Sequence, residues 1–233
     1  MSWHLSMQQY VVNTNASETD SAYLRRVGLK PNVLELCGDC RDQQVLDVGS
    51  ADGWLGRDLP CRQMVACDIV PFGPSPQTFV LCDATQLPFA PESFDVVVSS
   101  LVLMWLADLR AAYRATYRVT RPNGRLVVAL VHPYFYRTGW VNLHGNYEVE
   151  RNLRRPWTLD ELRIAGRSGP FLYYYRRYDE YLTLALEAGW RLEVARDWFI
   201  DMDDYRAHVR EGSQFIARSG SVPLYGFLRF VKP

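Results

Sequence analysis

Short apolar runs that alternate with helical or irregular stretches over residues 44–131 predict an α/β chain built on a doubly wound, mostly parallel sheet. Three observations carry this reading. Five runs of four to six residues recur through the stretch, several of them end in an acid or another polar residue, and the segment before the fifth run has apolar residues at helical spacing. The length of 233 residues suits one domain with a large insertion, and 48% hydrophobic with 22% charged residues is ordinary for a globular chain.

The elements follow in order. Residues 1–43 are mixed, with helical periodicity over Ala22–Val27 and again over Val33–Leu36, and with Ser17 and Asp20 as candidate caps. Val45–Val48, Met64–Asp68, Thr78–Asp83, Phe94–Ser99 and Leu126–Val131 are the five strand candidates, the last introduced by the turn Arg121-Pro122-Asn123-Gly124. Asp108 to Val119 reads as the helix between the fourth and fifth. From His132 to Pro170 the regularity fails, and the stretch is too long for an ordinary connection. A helix resumes over Asp179–Ala188 and stops at Gly189; strand candidates Trp190–Phe199 and Tyr225–Val231 close the chain. The expected organisation is a single domain: an N-terminal helical lid segment (1–43), a ligand-binding core (44–131), a lid insertion (132–170), and a C-terminal helix with two strands (171–233).

Composition narrows the function. Lys+Arg and Asp+Glu are both 26, so no basic excess is present to meet a phosphate backbone and nucleic acid is an unlikely partner; only a local basic groove stays open. The first residues lack the pattern of a secretory signal, and no apolar stretch approaches the ~20 residues needed to span a bilayer. With five cysteines, an odd number, these features fit a cytoplasmic chain in a reducing compartment. Cys37-Gly38-Asp39-Cys40 lacks the second pair a zinc site needs, so no metal is expected, and Gly38 reads as a helix C-cap.

The chemistry lies at the strand ends. Asp47-Val48-Gly49-Ser50-Ala51-Asp52-Gly53 closes the first strand with small residues that let the backbone turn tightly against a ligand. The spacing is D-x-G-x-A-x-G, not the G-x-G-x-x-G of dinucleotide enzymes, and its leading acid suits an ammonium group better than a pyrophosphate. Asp68 ends the second strand, where an acid can accept both hydroxyls of a ribose or cap the next helix. Asp83, ending the third, can accept from an exocyclic amine, with the Ala84 N–H beside it as a donor. Three acids at three successive strand ends gather at the carboxyl edge of the sheet, where open α/β folds bind ligands.

Taken together, VLDVGSADG, VACDIV, FVLCDATQLPF, FDVVVSSLVLMWLAD and RPNGRLVVALVHP resemble the class I S-adenosylmethionine-dependent methyltransferases, nearest the subgroup of ubiquinone-biosynthesis and "type 11" enzymes. The resemblance is close over residues 45–133 and looser over the final helix and strands. It implies a Rossmann-like three-layer sandwich whose seven-stranded, mostly parallel sheet has an antiparallel last strand. It implies that Asp47, Gly49, Ala51 and Gly53 surround the methionine part of S-adenosylmethionine. Asp68 would hold the ribose and Ile69 would pack on the adenine. Asp83 and Ala84 would recognise the adenine edge, and Ser99 and Leu101 would lie beside the methionine and sulfonium. Ala51 departs from the glycine common in the family and disfavours positive φ. The Asn/Asp-Pro-Pro-aromatic motif of base-amine methyltransferases is replaced by Ser99-Ser100-Leu101-Val102-Leu103-Met104-Trp105.

The expected reaction is methyl transfer to an oxygen or nitrogen atom of a small molecule, of the kind found in secondary metabolism. An enzyme acting on RNA or protein and a non-catalytic cofactor-binding module are the alternatives. His132, directly after the fifth strand, is the candidate general base, or else a residue that only orients the lid. Tyr134, Trp140, His144, Tyr175 and Arg177 are candidate substrate contacts: the rings would exclude water, and Arg176 or Arg177 would meet a carboxylate. The oligomeric state is left open.

Overall fold

The structure is a computed structural model that describes residues 19–70, 78–135, 157–158, 172–208 and 222–233. Seven strands form one sheet: β1 (Cys40–Val48), β2 (Cys61–Asp68), β3 (Thr78–Leu81), β4 (Phe94–Ser100), β5 (Thr120–Val131), β8 (Arg191–Trp198) and β9 (Tyr225–Val231). Their order is β3-β2-β1-β4-β5-β9-β8. The pairs β2–β3, β1–β2, β1–β4 and β4–β5 are parallel, while β9 runs antiparallel to both β5 and β8. The last strand in sequence is therefore the one reversed strand, as expected. A separate antiparallel ribbon pairs β6 (Trp157–Thr158), within the insertion, with β7 (Leu172–Tyr173) just after it, in elements too short to carry a periodic signal.

The central strands are apolar on both sides because both faces are covered. Leu46, Val97, Leu126 and Val128 point into one buried cluster, and Val45, Val96, Val98 and Val127 into the other. Each of these side chains is essentially inaccessible, and burying one contributes about 1.5–3 kcal/mol. The first cluster is closed by α4 (Leu109–Val119) and α5 (Tyr178–Glu187), the second by α1 (Thr19–Leu24), α2 (Lys30–Cys37), α3 (Trp54–Asp58) and α6 (Met202–His208). Asp108 caps α4 by accepting the Ala111 N–H at 2.9 Å, and Gly38 and Gly189 turn the chain with φ of 65° and 99° after α2 and α5.

Several boundaries differ from the sequence reading. β1 starts at Cys40 instead of Val45, since the polar, exposed or half-buried residues Arg41 to Gln44 separate buried Cys40 from the continuous apolar run. β2 starts at Cys61 instead of Met64, and β5 at Thr120 instead of Leu126, so the expected turn Arg121-Pro122-Asn123-Gly124 falls within the span of β5, with Asn123 at φ 62°. β3 stops at Leu81, leaving Cys82 and Asp83 just beyond the strand. The two helical fragments of the N-terminal segment are one continuous run, α1 and α2 joined by a π-helical turn at Arg25–Leu29. The wide turn comes directly before Pro31, which has no N–H and whose ring would clash with the carbonyl four residues earlier. Asp20 falls inside the first turn of α1, and Ser17 lies outside the described residues. Among the described residues no helix is long and apolar enough to cross a membrane.

Candidate active site

β1 delivers the chain into a five-residue loop with three left-handed positions: Gly49 at φ 73°, Ala51 at φ 47° and Gly53 at φ 68°. Gly49 is required on two counts. Its backbone is left-handed, and a Cβ there would lie 2.2 Å from Cγ2 of Val102. Ala51 adopts the conformation that alanine disfavours. Its N–H donates to Oδ2 of Asp68 at 3.1 Å, while the Gly49 and Ser50 N–H groups both donate to the Cys67 carbonyl. Leu101, just past β4, is likewise left-handed at φ 60°, its N–H bound to the Ala129 carbonyl. A non-glycine residue in that region costs roughly 1–2 kcal/mol, and such strain gathers at functional sites.

The polar groups at this edge are incompletely satisfied. Asp47 is 3% exposed and its Oδ2 has no hydrogen-bond partner among the described residues; the same holds for the hydroxyls of Ser99 and Ser100. Register places Asp47 beside Val98 and Ser99 beside Val48, so Asp47 and Ser99 lie one step apart at the carboxyl ends of adjacent strands. Burial, then the carboxylates of Asp68 and Asp52, push the Asp47 carboxyl up to about 7 against the opposing pull of Arg25. Asp68 is also raised by burial, partly offset by the backbone N–H groups that it accepts from Ala51 and Val70. It therefore holds the loop together whatever else it binds. Asp83 accepts the N–H and the hydroxyl of Thr85 through Oδ1, both at 2.7 Å. Ile69 and Ala84 are half-buried beside these acids.

At the ends of β5, β8 and β9 the arrangement differs. The His132 side chain is 1% exposed. Its Nδ1 accepts the Tyr134 N–H at 3.2 Å, which puts the proton on Nε2, 3.3 Å from Oδ1 of Asp197. Burial lowers its pKa and Asp197 opposes that shift. The ring packs between Tyr178 and Tyr134, with centroids at 4.8 and 4.9 Å, over Gly226, where a Cβ would come within 3.2 Å of it. Both nitrogens are thus engaged, and the ring's partners lie toward β8 and α5.

The other sequence-predicted contacts scatter. Tyr134 is 54% exposed, while Tyr175 is buried in the core cluster under α4 and α5. Arg177 is exposed in an ion pair with Asp179, at the start of α5. Arg176 donates to the carbonyls of Leu103, Tyr174, Leu106 and Ala107, which commits it to holding the 3-10 turn Leu103–Trp105. Trp140 and His144 lie outside the described residues.

Sequence reasoning missed two groups. Asp197 stands near the carboxyl end of β8, and the strand-end rule that singled out Asp47, Asp68 and Asp83 reaches it as well. Arg25 donates to Asp52 at 2.5 Å, and Arg57 joins from the other side at 3.1 Å. Burial works against the Asp52 charge, but the two guanidiniums hold its carboxyl below the usual range. No local pattern signals a pairing across 27 residues.

A three-layer sandwich on a mostly parallel sheet, with a small-residue loop and unsatisfied polar atoms at the sheet's carboxyl edge, defines a Rossmann-like ligand-binding protein. Residues 46–128 match the family model described as a methyltransferase domain. The chain is 33% identical over 175 residues to a demethylmenaquinone methyltransferase of Beutenbergia cavernae, covering 68% of this chain and 70% of that protein. It is 31% identical over 163 residues to a malonyl-[acyl-carrier protein] O-methyltransferase of Hahella chejuensis, covering 62% of this chain and 58% of the relative's length. An S-adenosylmethionine-dependent methyltransferase from Mesorhizobium loti superposes with a TM-score of 0.67 at 17% identity, over 87% of this chain and 96% of that one. The chain belongs to the class I S-adenosylmethionine-dependent methyltransferases.

Proposed function

We propose that this methyltransferase acts on an oxygen or nitrogen atom of a small molecule and holds S-adenosylmethionine at the ends of β1, β2, β3 and β4. The observation that carries the cofactor site is the set of buried, unpartnered polar atoms of Asp47, Ser99 and Ser100 beside a strained loop. Buried polar groups are nearly always bonded, so three orphans at one edge fit a polar ligand. In this reading Asp47 faces the ammonium end, with Gly49, Ala51 and Gly53 giving the backbone close approach. Asp68 has two oxygens with about four acceptor positions, so capacity for a ribose hydroxyl remains after the Ala51, Val70 and Ile69 N–H groups are served. Ile69 packs on the adenine, Asp83 and Ala84 meet its edge, and Ser99 and Leu101 border the sulfonium.

When bound, S-adenosylmethionine supplies an activated methyl group for in-line displacement. The protein's part is to bring the acceptor atom to near-attack distance and to exclude water. The insertion 132–170 serves as the lid, with Tyr134 at its root and Trp140 and His144 as further candidate substrate contacts; of segment 1–43, expected to share that role, α1 and α2 instead close the second core cluster and residues 40–43 begin β1. His132 positions this root through Tyr134 and Asp197 instead of removing a proton, because its only lone pair is spent on a backbone N–H. Tyr175 and Arg177 act in packing and in the surface ion pair, not on substrate. The balanced net charge and the name of the demethylmenaquinone relative support a small molecule, and the same composition fits a cytoplasmic enzyme.

The test is incubation of the protein with a small-metabolite pool and methyl-labelled S-adenosylmethionine, followed by mass detection of labelled products. A labelled small molecule is the expected result. Label found only on RNA or protein would overturn the substrate class.

A further inference from the structure

Two cysteines lie within the proposed cofactor edge. Cys67 is the residue before Asp68 on β2, and Cys82 is the residue before Asp83, one step past β3. β2 and β3 are parallel neighbours with Cys67 opposite Val80 and Asp68 opposite Leu81, and the Cys82 N–H donates to the Asp68 carbonyl at 2.9 Å. Both side chains pack in the same cluster on the same face of the sheet, where the Cys67 thiol donates a hydrogen bond to the Cys82 sulfur.

The two sulfurs are not equivalent. Cys67 is fully buried, whereas Cys82 is half-buried. The bond from Cys67 holds the Cys82 thiol below its ordinary value although burial opposes it. The other three cysteines have the opposite character. Cys37, Cys40 and Cys61 cluster at the amino end of β1 and β2, and burial raises all three. A half-accessible thiol stabilised as thiolate, with a second thiol in contact, is the arrangement of a peroxide-reactive pair.

We infer that Cys82 and Cys67 form a peroxide-oxidisable pair whose disulfide weakens cofactor binding. The Cys82 thiolate attacks one oxygen of hydrogen peroxide; the O–O bond breaks, and the hydroxide that leaves takes a proton to become water. The sulfur of Cys67 then displaces the hydroxyl of the Cys82 sulfenic acid, which departs as a second water. Two thiols lose two electrons and the peroxide gains them. Drawing Cys82 back along β2 pulls its N–H from the Asp68 carbonyl and carries Asp83 with it. The strand ends assigned to ribose and adenine therefore shift together. Linkage makes the effect reciprocal: a cofactor that binds the dithiol form more tightly makes the disulfide easier to reduce by the same factor.

The inference rests on the proposed cofactor site, and the experiment separates the two. The full chain is treated with hydrogen peroxide, its disulfides are mapped by mass spectrometry, and S-adenosylhomocysteine affinity is measured before and after oxidation and again after dithiothreitol. The expected result is a Cys67–Cys82 bridge, a loss of affinity of about fivefold or more, the usual scale of coupling between sites, and recovery on reduction. Cys82→Ser should keep its affinity under peroxide, and Cys67→Ala should stop at a sulfenic acid on Cys82 that a dimedone probe captures. A bridge confined to Cys37, Cys40 and Cys61, or a Cys67–Cys82 bridge that leaves affinity unchanged, overturns the inference. Failure of the reduced protein to bind S-adenosylhomocysteine at all overturns the cofactor site itself, whatever the thiols do.

Discussion

At the ends of β1, β2 and β4, the carboxylate of Asp47 and the hydroxyls of Ser99 and Ser100 are buried with atoms that meet no partner among the described residues, and Ala51 and Leu101 hold left-handed backbone. At the ends of β5, β8 and β9, His132 is buried just as deeply, yet its two nitrogens meet the Tyr134 N–H and the Asp197 carboxylate; the Tyr178 hydroxyl is the orphan there. An unpaired buried polar group costs about 1–3 kcal/mol. A stretch that tolerates several, with strain beside them, has a shape set by what it binds. A stretch that closes its own bonds has a shape set by what it must hold still.

The largest break in this comparison comes from Gly49→Ala. A Cβ 2.2 Å from Val102, on left-handed backbone, should cost about 2–4 kcal/mol of stability, combining overpacking with backbone strain. It should also abolish S-adenosylhomocysteine binding; denaturant titration and calorimetry read the two effects. Full stability and affinity would mean that the loop is not held as described.

Asp68→Ala is next. It removes acceptors for the Ala51 and Val70 N–H groups as well as for a ribose, so affinity should fall by about 1.5–3 kcal/mol. Asp68→Asn retains one oxygen and should lose less. If the alanine variant is folded and binds normally, Asp68 serves the loop alone.

A smaller effect follows from pH. In the free protein the Asp47 carboxyl at about 7 lies above its ordinary 3.8, so the fold favours the protonated form. The stability from that preference is complete below the ordinary value and is lost as pH rises through about 7. A ligand ammonium reverses the preference, so affinity should rise about tenfold between pH 6 and 8 with release of a proton. Calorimetry in buffers of different ionisation enthalpy detects that proton, and Asp47→Asn should flatten the profile.

His132→Ala gives the smallest expected effect on chemistry: turnover within about tenfold of the parent, with substrate affinity suffering at least as much. A fall of roughly 10²–10⁴-fold with cofactor binding intact is the signature of a general base. That outcome would return His132 to the reacting atoms and erase the contrast between the two stretches.

The sheet was legible because burial on both faces writes continuous apolar runs: β2, β4 and the second half of β1 stand out for that reason. The polar first half of β1 did not, since it extends past the covered core. The loop after β1 was legible from Gly49 and Gly53, whose lack of a side chain reports backbone demands directly. The N-terminal helix was read in two pieces because its π turn puts an extra residue between Ala22–Val27 and Val33–Leu36 and breaks the 3.6-residue period. Asp197 and Arg25 were invisible for a different reason. Each acts through a partner far along the chain, and the pairing exists only once the sheet has brought them together.

That π turn also has an evolutionary and engineering meaning. Each residue advances an α-helix by about 100°, so a turn holding one residue too many is in effect a single-residue insertion that the fold has kept. Removing Arg26 would let α1 run into α2 as a regular helix, but it would swing everything upstream around the axis by that same angle, carrying Arg25 off Asp52 and the Trp54 ring. The irregularity that hid the helix from a periodic reading is what lets one side of it face the core while Arg25 faces Asp52 in the loop after β1, and a designer who straightened it would trade that second orientation for a tidier helix.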